Sequence, residues 1–165
     1  MIIDLKNLFN NEGECIALDY MADFSGFELN GGYPFKTPIK ITGELKNHLG
    51  IISMSAKAEF TYQAPCDRCA VEVVRDYSIP IVHYLVAHLD NEDENDDYLL
   101  LEDMTLNVDD LVLTDILLNI PMKFLCSEDC KGLCSYCGKN LNDGPCNCKK
   151  PVDPRLEVLR ELLDS

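Results

Sequence analysis

Ser53-Met54-Ser55-Ala56-Lys57-Ala58-Glu59-Phe60-Thr61-Tyr62 alternates polar and apolar side chains without a break. Met54, Ala56, Ala58, Phe60 and Tyr62 fall on one face, and Ser53, Ser55, Lys57, Glu59 and Thr61 on the other. A period of two with one apolar face is the pattern of a half-buried antiparallel strand. Downstream, Val71, Val73, Tyr77, Ile79 and Ile81 repeat it, with Arg75 as the exception and Pro80 predicting an edge position or a bulge. Cys66-Asp67-Arg68-Cys69 lies between the two runs, so the pair reads as a hairpin with a cysteine knuckle at its turn. Shorter strands are expected at 14–18, 39–45 and 98–101, with Gly31-Gly32-Tyr33-Pro34 as a turn cluster.

Asn107 has the character of a helix N-cap, followed by Asp109 and Asp110 in the first turn, where the helix dipole favours acids. Leu111, Val112, Ile116 and Leu118 continue the helix toward the sheet, and Pro121 ends it. A second, shorter helix is predicted from Asp153-Pro154, with Leu156, Leu159, Leu162 and Leu163 on its apolar face. The expected fold is therefore α+β: a small antiparallel β-sheet or open barrel with one or two packed helices and a C-terminal zinc-ribbon-like module. Three parts are predicted: a β-rich core over 1–123 that carries the Cys66/Cys69 knuckle and the helix over 107–120, a cysteine-rich module over 124–150, and a helix over 151–165 docking on the core.

The chain has 165 residues, 14 Lys+Arg against 29 Asp+Glu, and a formal net charge of -15. That balance argues against a generic nucleic-acid coat, which needs clustered Lys and Arg, and favours a basic partner. Residues 90–97, DNEDENDD, hold six carboxylates in eight positions, and no Lys or Arg occurs from 76 through 122. Such a run is either a solvated loop or a docking surface for a basic protein, which would use Asp93, Glu94, Asp96 and Asp97. The start of the chain has no basic segment followed by an apolar one, and residues 111–122 are too short and interrupted to span a bilayer. A cytoplasmic location is expected, with no membrane contact. Thiols stay reduced there, so closely spaced cysteines point to metal or redox chemistry.

Eight of the nine cysteines form close pairs: Cys66/Cys69, Cys126/Cys130, Cys134/Cys137 and Cys146/Cys148. Zinc takes four deprotonated soft ligands in a tetrahedron, and a pair on a tight turn supplies two of them. Cys134-Ser135-Tyr136-Cys137-Gly138 reads as one such knuckle, and Gly144-Pro145 turns the chain ahead of Cys146-Asn147-Cys148. The first predicted zinc site is thus Cys134, Cys137, Cys146 and Cys148. The second follows by elimination from Cys66, Cys69, Cys126 and Cys130; an alternative grouping assigns Cys130 to the first cluster and leaves another thiol unused. One or two structural zinc ions are expected, because four thiolates leave no open position for water. Metal would hold residues 126–148 together, since they carry too few large apolar side chains for a core. Eight thiolates and two divalent ions would take the formal charge from -15 to about -19.

Cys66/Cys69 has a rival reading as a thiol–disulfide redox centre, but such centres sit at a helix N-terminus and strands flank this one. Cys15 reads as a buried small apolar residue of a strand. Lys131, Lys139, Lys149 and Lys150 decorate the cysteine-rich region, as a solvated rim or as a small RNA-facing patch. No serine elbow, HExxH helix or Gly-rich phosphate loop accompanies His48, His83 or His88, so neither catalysis nor a small-molecule substrate is expected.

The CDRC knuckle between strands, the string CKGLCSYCGKNLNDGPCNC over 130–148 and the following DPRLEVL together resemble the YceD family. These are bacterial and plastid proteins linked to accumulation of large-subunit ribosomal RNA. The motifs span 66–159, and Ala70 departs from the larger apolar residue usual after the knuckle. The resemblance implies that the shared role centres on Cys66, Arg68 and Cys69, with the C-terminal cysteines as an added stabilising module. It further implies a non-enzymatic assembly factor that promotes accumulation of 23S ribosomal RNA. Family genes often neighbour that of a small basic large-subunit ribosomal protein, which makes that protein the expected partner, with 23S ribosomal RNA or its precursor as a further one. A zinc-ribbon nucleic-acid-binding regulator and a thiol–disulfide oxidoreductase are the competing readings.

Overall fold

A computed structural model of the chain describes residues 1–88 and 98–148. The elements run β1 (Ile2–Asp4), α1 (Lys6–Asn10), β2 (Cys15–Ala22), β3 (Ile39–His48), β4 (Ile51–Pro65), β5 (Glu72–Val86), β6 (Tyr98–Leu100), β7 (Thr105–Asn107) and α2 (Val108–Asn119), then a single 3-10 turn at Leu141–Asp143. Two helices on a mostly β chain make the class α+β. The chain divides into two compact units. The first comprises the described residues of Met1–Ala64 and Glu72–Phe124; the second comprises Pro65–Val71 and residues 125–148. The short helix predicted over 151–165 and the acidic run over 90–97 lie outside the described residues.

In the first unit a five-stranded sheet has the order β2-β3-β4-β5-β6, and β1 pairs with β7 separately. The alternation of β4 is reproduced in its burial: Met54 and Ala58 are fully enclosed, and Ala56, Phe60 and Tyr62 nearly so. β2 pairs antiparallel with β3 and β3 with β4, in the register Leu45↔Met54 and Gly43↔Ala56. Gly43 is required there, because a Cβ at this position would stand 2.3 Å from the Ser55 carbonyl oxygen and 2.5 Å from Ala56 Cα. Phe35, wholly buried, is the aromatic centre of the core, with its ring 5.5 Å from Phe60 and 5.8 Å from Tyr62.

Several expectations are corrected. β6 runs parallel to β5 (Tyr84↔Tyr98, Val86↔Leu100), so the sheet is mixed rather than purely antiparallel. A parallel pair needs a crossover connection rather than a hairpin turn, and residues 87–97 separate these two strands. β6 covers only Tyr84–Val86, which leaves β5 an edge at Pro80, where the missing N–H is harmless. Val71 precedes β5 and is 48% exposed, so the buried face of that strand begins later than its apolar residues do. Cys15, expected to be buried, is exposed at the start of β2, beside Glu44. Arg75 is an exception in composition alone: its guanidinium lies 5.4 Å from the centre of the Phe124 ring, an apolar contact that a charge makes through its flat face.

α2 buries Val108, Val112 and Ile116, a spacing of four that keeps one stripe inward. Leu118 falls on the opposite side and is 76% exposed. Asn107 occupies the N-cap position without a side-chain cap hydrogen bond; its amide donates to Asp110 instead. His83 Nε2 and Asp115 Oδ2, 2.6 Å apart, join β5 to α2. β1, α1 and β7 were not expected, being too short to show a period. Among the described residues no helix is long and apolar enough to cross a membrane.

Among the described residues Asn47 is the one buried polar side chain. Its Nδ2 donates to the carbonyls of Leu8 (2.7 Å), Phe9 (3.1 Å) and Asn11 (3.1 Å), and its Oδ1 accepts from the Gly50 N–H (3.0 Å). One carboxamide thus satisfies the C-terminal carbonyls of α1 and ties them to the β3–β4 turn. Asn47→Ala strands buried carbonyls and is expected to cost about 2–3 kcal/mol. Urea unfolding would check this; a loss below about 0.5 kcal/mol would show that water replaces the amide.

Candidate metal centres

The described part of the second unit has almost no hydrocarbon to bury. Among its described residues the buried side chains are Cys66, Cys69, Cys130 and Cys134. All nine cysteines of the chain are free thiols. Eight of them gather in two groups, Cys66/Cys69/Cys126/Cys130 and Cys134/Cys137/Cys146/Cys148, with the sulfurs of each group within 4.8 Å of one another. The first group, the split centre, draws on two distant segments; the second, the local centre, is built from one.

Each centre is founded on the same turn. Cys66 N–H donates to Val71 O (2.8 Å) and Ala70 N–H to Cys66 O (2.8 Å); Cys134 N–H donates to Lys139 O (2.8 Å) and Gly138 N–H to Cys134 O (2.9 Å). The fifth residue of both turns is left-handed, Gly138 at φ 70° and Ala70 at φ 57°. In the local turn this bend directs the Tyr136 N–H at Cys134 Sγ (3.4 Å), whereas the N–H at 3.3 Å from Cys66 Sγ is that of Cys126, on the incoming segment. Burial opposes ionisation of Cys66, but the N–H groups of Arg68, Cys126 and Cys69 hold its thiol at about 6. The N–H groups of Cys137 and Tyr136 hold Cys134 at about 6.

Cys69 and Cys148 behave oppositely. The Val71 N–H favours the Cys69 thiolate, yet burial and the three neighbouring sulfurs push it up to about 12. Contact with Cys137, burial and Cys146 push Cys148 up to about 12. The Asn142 amide lowers Cys130 as well, so the split centre readies Cys66 and Cys130 and the local centre readies Cys134. Both resist a full set of four thiolates, which is the electrostatic signature of a site that wants a cation. A metal–sulfur bond of about 2.3 Å in a tetrahedron implies sulfur–sulfur edges of about 3.8 Å. Cys66 and Cys130 stand 3.8 Å apart, Cys69 and Cys126 3.6 Å, and Cys134 and Cys146 3.4 Å. The residues present fit a thiophilic ion in both places.

Arg68 stitches the split centre: its Nη1 donates to Cys130 O (2.9 Å) and Glu128 O (3.4 Å), and its own carbonyl accepts from Leu133 N–H (3.0 Å). Arg68, one of the residues on which the resemblance centres the shared role, thus braces the two halves of the centre. Gly132, at φ 74°, passes so close that a Cβ there would lie 3.0 Å from the Arg68 carbonyl. Lys139 Nζ donates to Pro145 O (3.0 Å), and the Lys131 side chain is exposed. Lys149, Lys150, Asp93, Glu94, Asp96 and Asp97 lie outside the described residues. The Cys66–Cys69 turn joins two strands and has no helix behind it, the arrangement a redox dithiol relies on. Sequence reasoning overlooked Asn142, whose Nδ2 donates to Cys130 Sγ at 3.3 Å. The only signal was its place in a polar loop between two cysteine pairs.

Comparison with known proteins places this architecture. A family profile described as "Large ribosomal RNA subunit accumulation protein YceD" matches residues 54–163, a stretch holding all eight paired cysteines. The chain belongs to the YceD family. It is 32% identical over 142 residues to the uncharacterized protein YlbN of Bacillus subtilis, covering 82% of this chain and 80% of that one. Uncharacterized proteins of Mycobacterium bovis and Mycobacterium tuberculosis are each 28% identical over 101 residues, covering 59% of this chain and 49% of theirs. No solved structure matches the chain.

Ala70 holds a conformation that costs an L-residue about 1–2 kcal/mol, at a position where the twin turn has glycine. Ala70→Gly removes that strain and adds about 0.4–1 kcal/mol of unfolded-state entropy. The metal-loaded variant is expected to be more stable by about 0.5–1 kcal/mol. A lowered denaturant midpoint would mean that the Ala70 methyl makes a contact worth more than its strain.

Proposed function

We propose that this chain is a non-enzymatic assembly factor of the large ribosomal subunit that promotes accumulation of 23S ribosomal RNA, with two structural zinc ions holding its cysteine-rich unit. The observation that carries this reading is the family match across both cysteine centres. Zinc is favoured among thiophilic ions because four thiolates per site suit a tetrahedral divalent ion. Four sulfur ligands leave no position for a reacting water, which supports structure over catalysis. Cytoplasmic action is part of the same proposal.

A basic large-subunit ribosomal protein is the partner we favour. A formal charge of -15, with residues 76–122 free of Lys and Arg, suits a cationic protein far better than a phosphate backbone. The described part of the cysteine-rich unit carries Arg68, Lys131 and Lys139 against Asp67, Glu128, Asp129 and Asp143, so it offers RNA no basic surface of its own. Contact with 23S ribosomal RNA would then run mainly through the partner.

Deleting the gene in its native host is expected to lower the ratio of 23S to 16S ribosomal RNA, and tagged protein is expected to recover large-subunit components that survive ribonuclease. An unchanged ratio would refute the assembly role, and ribonuclease-sensitive recovery would refute direct protein contact. Reversing the charges of residues 90–97 should weaken recovery; equal recovery would remove that run from the docking surface.

Metal analysis should find two zinc ions per chain. Protons compete with metal for every thiolate, so affinity rises with pH. With Cys66 and Cys134 held at about 6, zinc should be retained above that pH and released to a chromogenic chelator as pH falls through it. Release that does not depend on pH would argue against thiolate ligands.

A further inference from the structure

We propose that Asn142 couples the two cysteine centres, so that metal bound at the local centre tightens metal binding at the split centre. The inference rests on the reading of both centres as zinc sites. Asn142 belongs to the loop that connects the two halves of the local centre, Cys134/Cys137 and Cys146/Cys148. Yet its side chain serves the other centre: Nδ2 donates to Cys130 Sγ at 3.3 Å.

The orientation of the carboxamide is determined by its surroundings. Oδ1 accepts the Lys131 N–H at 2.8 Å while Nδ2 faces the sulfur and the Asn140 Oδ1 at 2.9 Å. Turning the amide over would set oxygen against the sulfur and Asn140 Oδ1, and NH2 against an N–H, losing every bond. The loop that presents it is itself held in place. Leu141 N–H donates to Gly132 O (2.9 Å), Asn142 N–H to Asn140 Oδ1 (3.0 Å), and Leu133 bridges Asn140. Both ends of that loop are anchored by local-centre cysteines, and Cys137 and Cys148 are exposed. None of residues 138–145 is buried, so the hold on the loop rests on these hydrogen bonds and on the local centre.

The coupling follows from these connections. A hydrogen bond to a metal-bound thiolate stabilises its negative charge, and outer hydrogen bonds of this kind typically change metal affinity 10- to 100-fold. The bond to Cys130 exists only while the loop is folded, and the local centre folds the loop. Metal at the local centre therefore favours the split centre, and by linkage the converse holds to the same extent. The two differ in accessibility as well. Cys66, Cys69 and Cys130 are at most 4% exposed, whereas the local centre has two exposed ligands, so it is the one that solvent chelators reach first.

The test measures zinc affinity of the split centre by chelator competition in the full chain, in a double-mutant cycle. One arm is Asn142→Asp, which retains an acceptor for the Lys131 N–H but replaces the donor facing sulfur. The other is Cys137→Ser with Cys148→Ser, which disables the local centre. Each alone is expected to weaken zinc at the split centre 10- to 100-fold. Combined, they should weaken it little more than either alone, because both remove the same bond. One zinc still bound at the local centre of Asn142→Asp shows that the loop remains folded. Asn142→Ala, which adds no charge, should reproduce the loss. Unchanged affinity in both Asn142 variants, or losses that multiply in the combined protein, would overturn the coupling while leaving two independent zinc centres. Absence of zinc from the wild-type chain would overturn the metal reading together with it.

Discussion

Everything in the cysteine-rich unit depends on bringing four sulfurs within bonding reach of one point, twice. Thiolates repel, and burial penalises their charge, so two sets of four cannot persist as anions without a cation among them. In the described part of the unit the buried side chains are themselves cysteines. Its conformation and its capacity for metal are one property, as in small domains whose binding energy is their folding energy. The backbone prepares for this by aiming N–H groups at Cys66 and Cys134 before any cation is considered.

The first unit solves a different problem by ordinary means. Its sheet buries the apolar faces of β3, β4 and β5 around Phe35, and Gly43 lets β3 and β4 approach closely. Strand β4 ends at Pro65 and β5 starts at Glu72, so the Cys66–Cys69 turn is tethered by a long strand at each end. That tether restricts half of the split centre, while Cys126 and Cys130 arrive from a segment about 60 residues away with little regular structure. Arg68 accordingly bonds to the carbonyls of the incoming segment and does there what a strand ladder does elsewhere.

Legibility tracked the distance over which each interaction acts. The burial of β4 could be read directly, because an unbroken period of two leaves one assignment of faces. The Val71 face and Leu118 were misplaced for the complementary reason: an apolar residue at an element's end is buried only if a neighbour covers it. The parallel pairing of β6 was hidden because three residues carry no period and no turn motif follows Val86. Arg75 broke the pattern in composition while obeying it in space, by laying its guanidinium against Phe124.

By itself the sequence determined the α+β class, the strand faces and the eight cysteines with metal-ligand spacing, because these rest on short-range periodicity and on side-chain chemistry that no fold alters. Tertiary structure decided the side that Cys130 takes, which spacing left open while it already grouped Cys134 with Cys137, Cys146 and Cys148. With Cys126 and Cys134 each four residues from Cys130, the folded path brings the Cys130 sulfur to Cys66. It also decided that Asn142, sited in the loop of one centre, hydrogen-bonds a sulfur of the other. Contacts between residues remote in sequence depend on closing loops, and loop closure is a property of the folded chain as a whole.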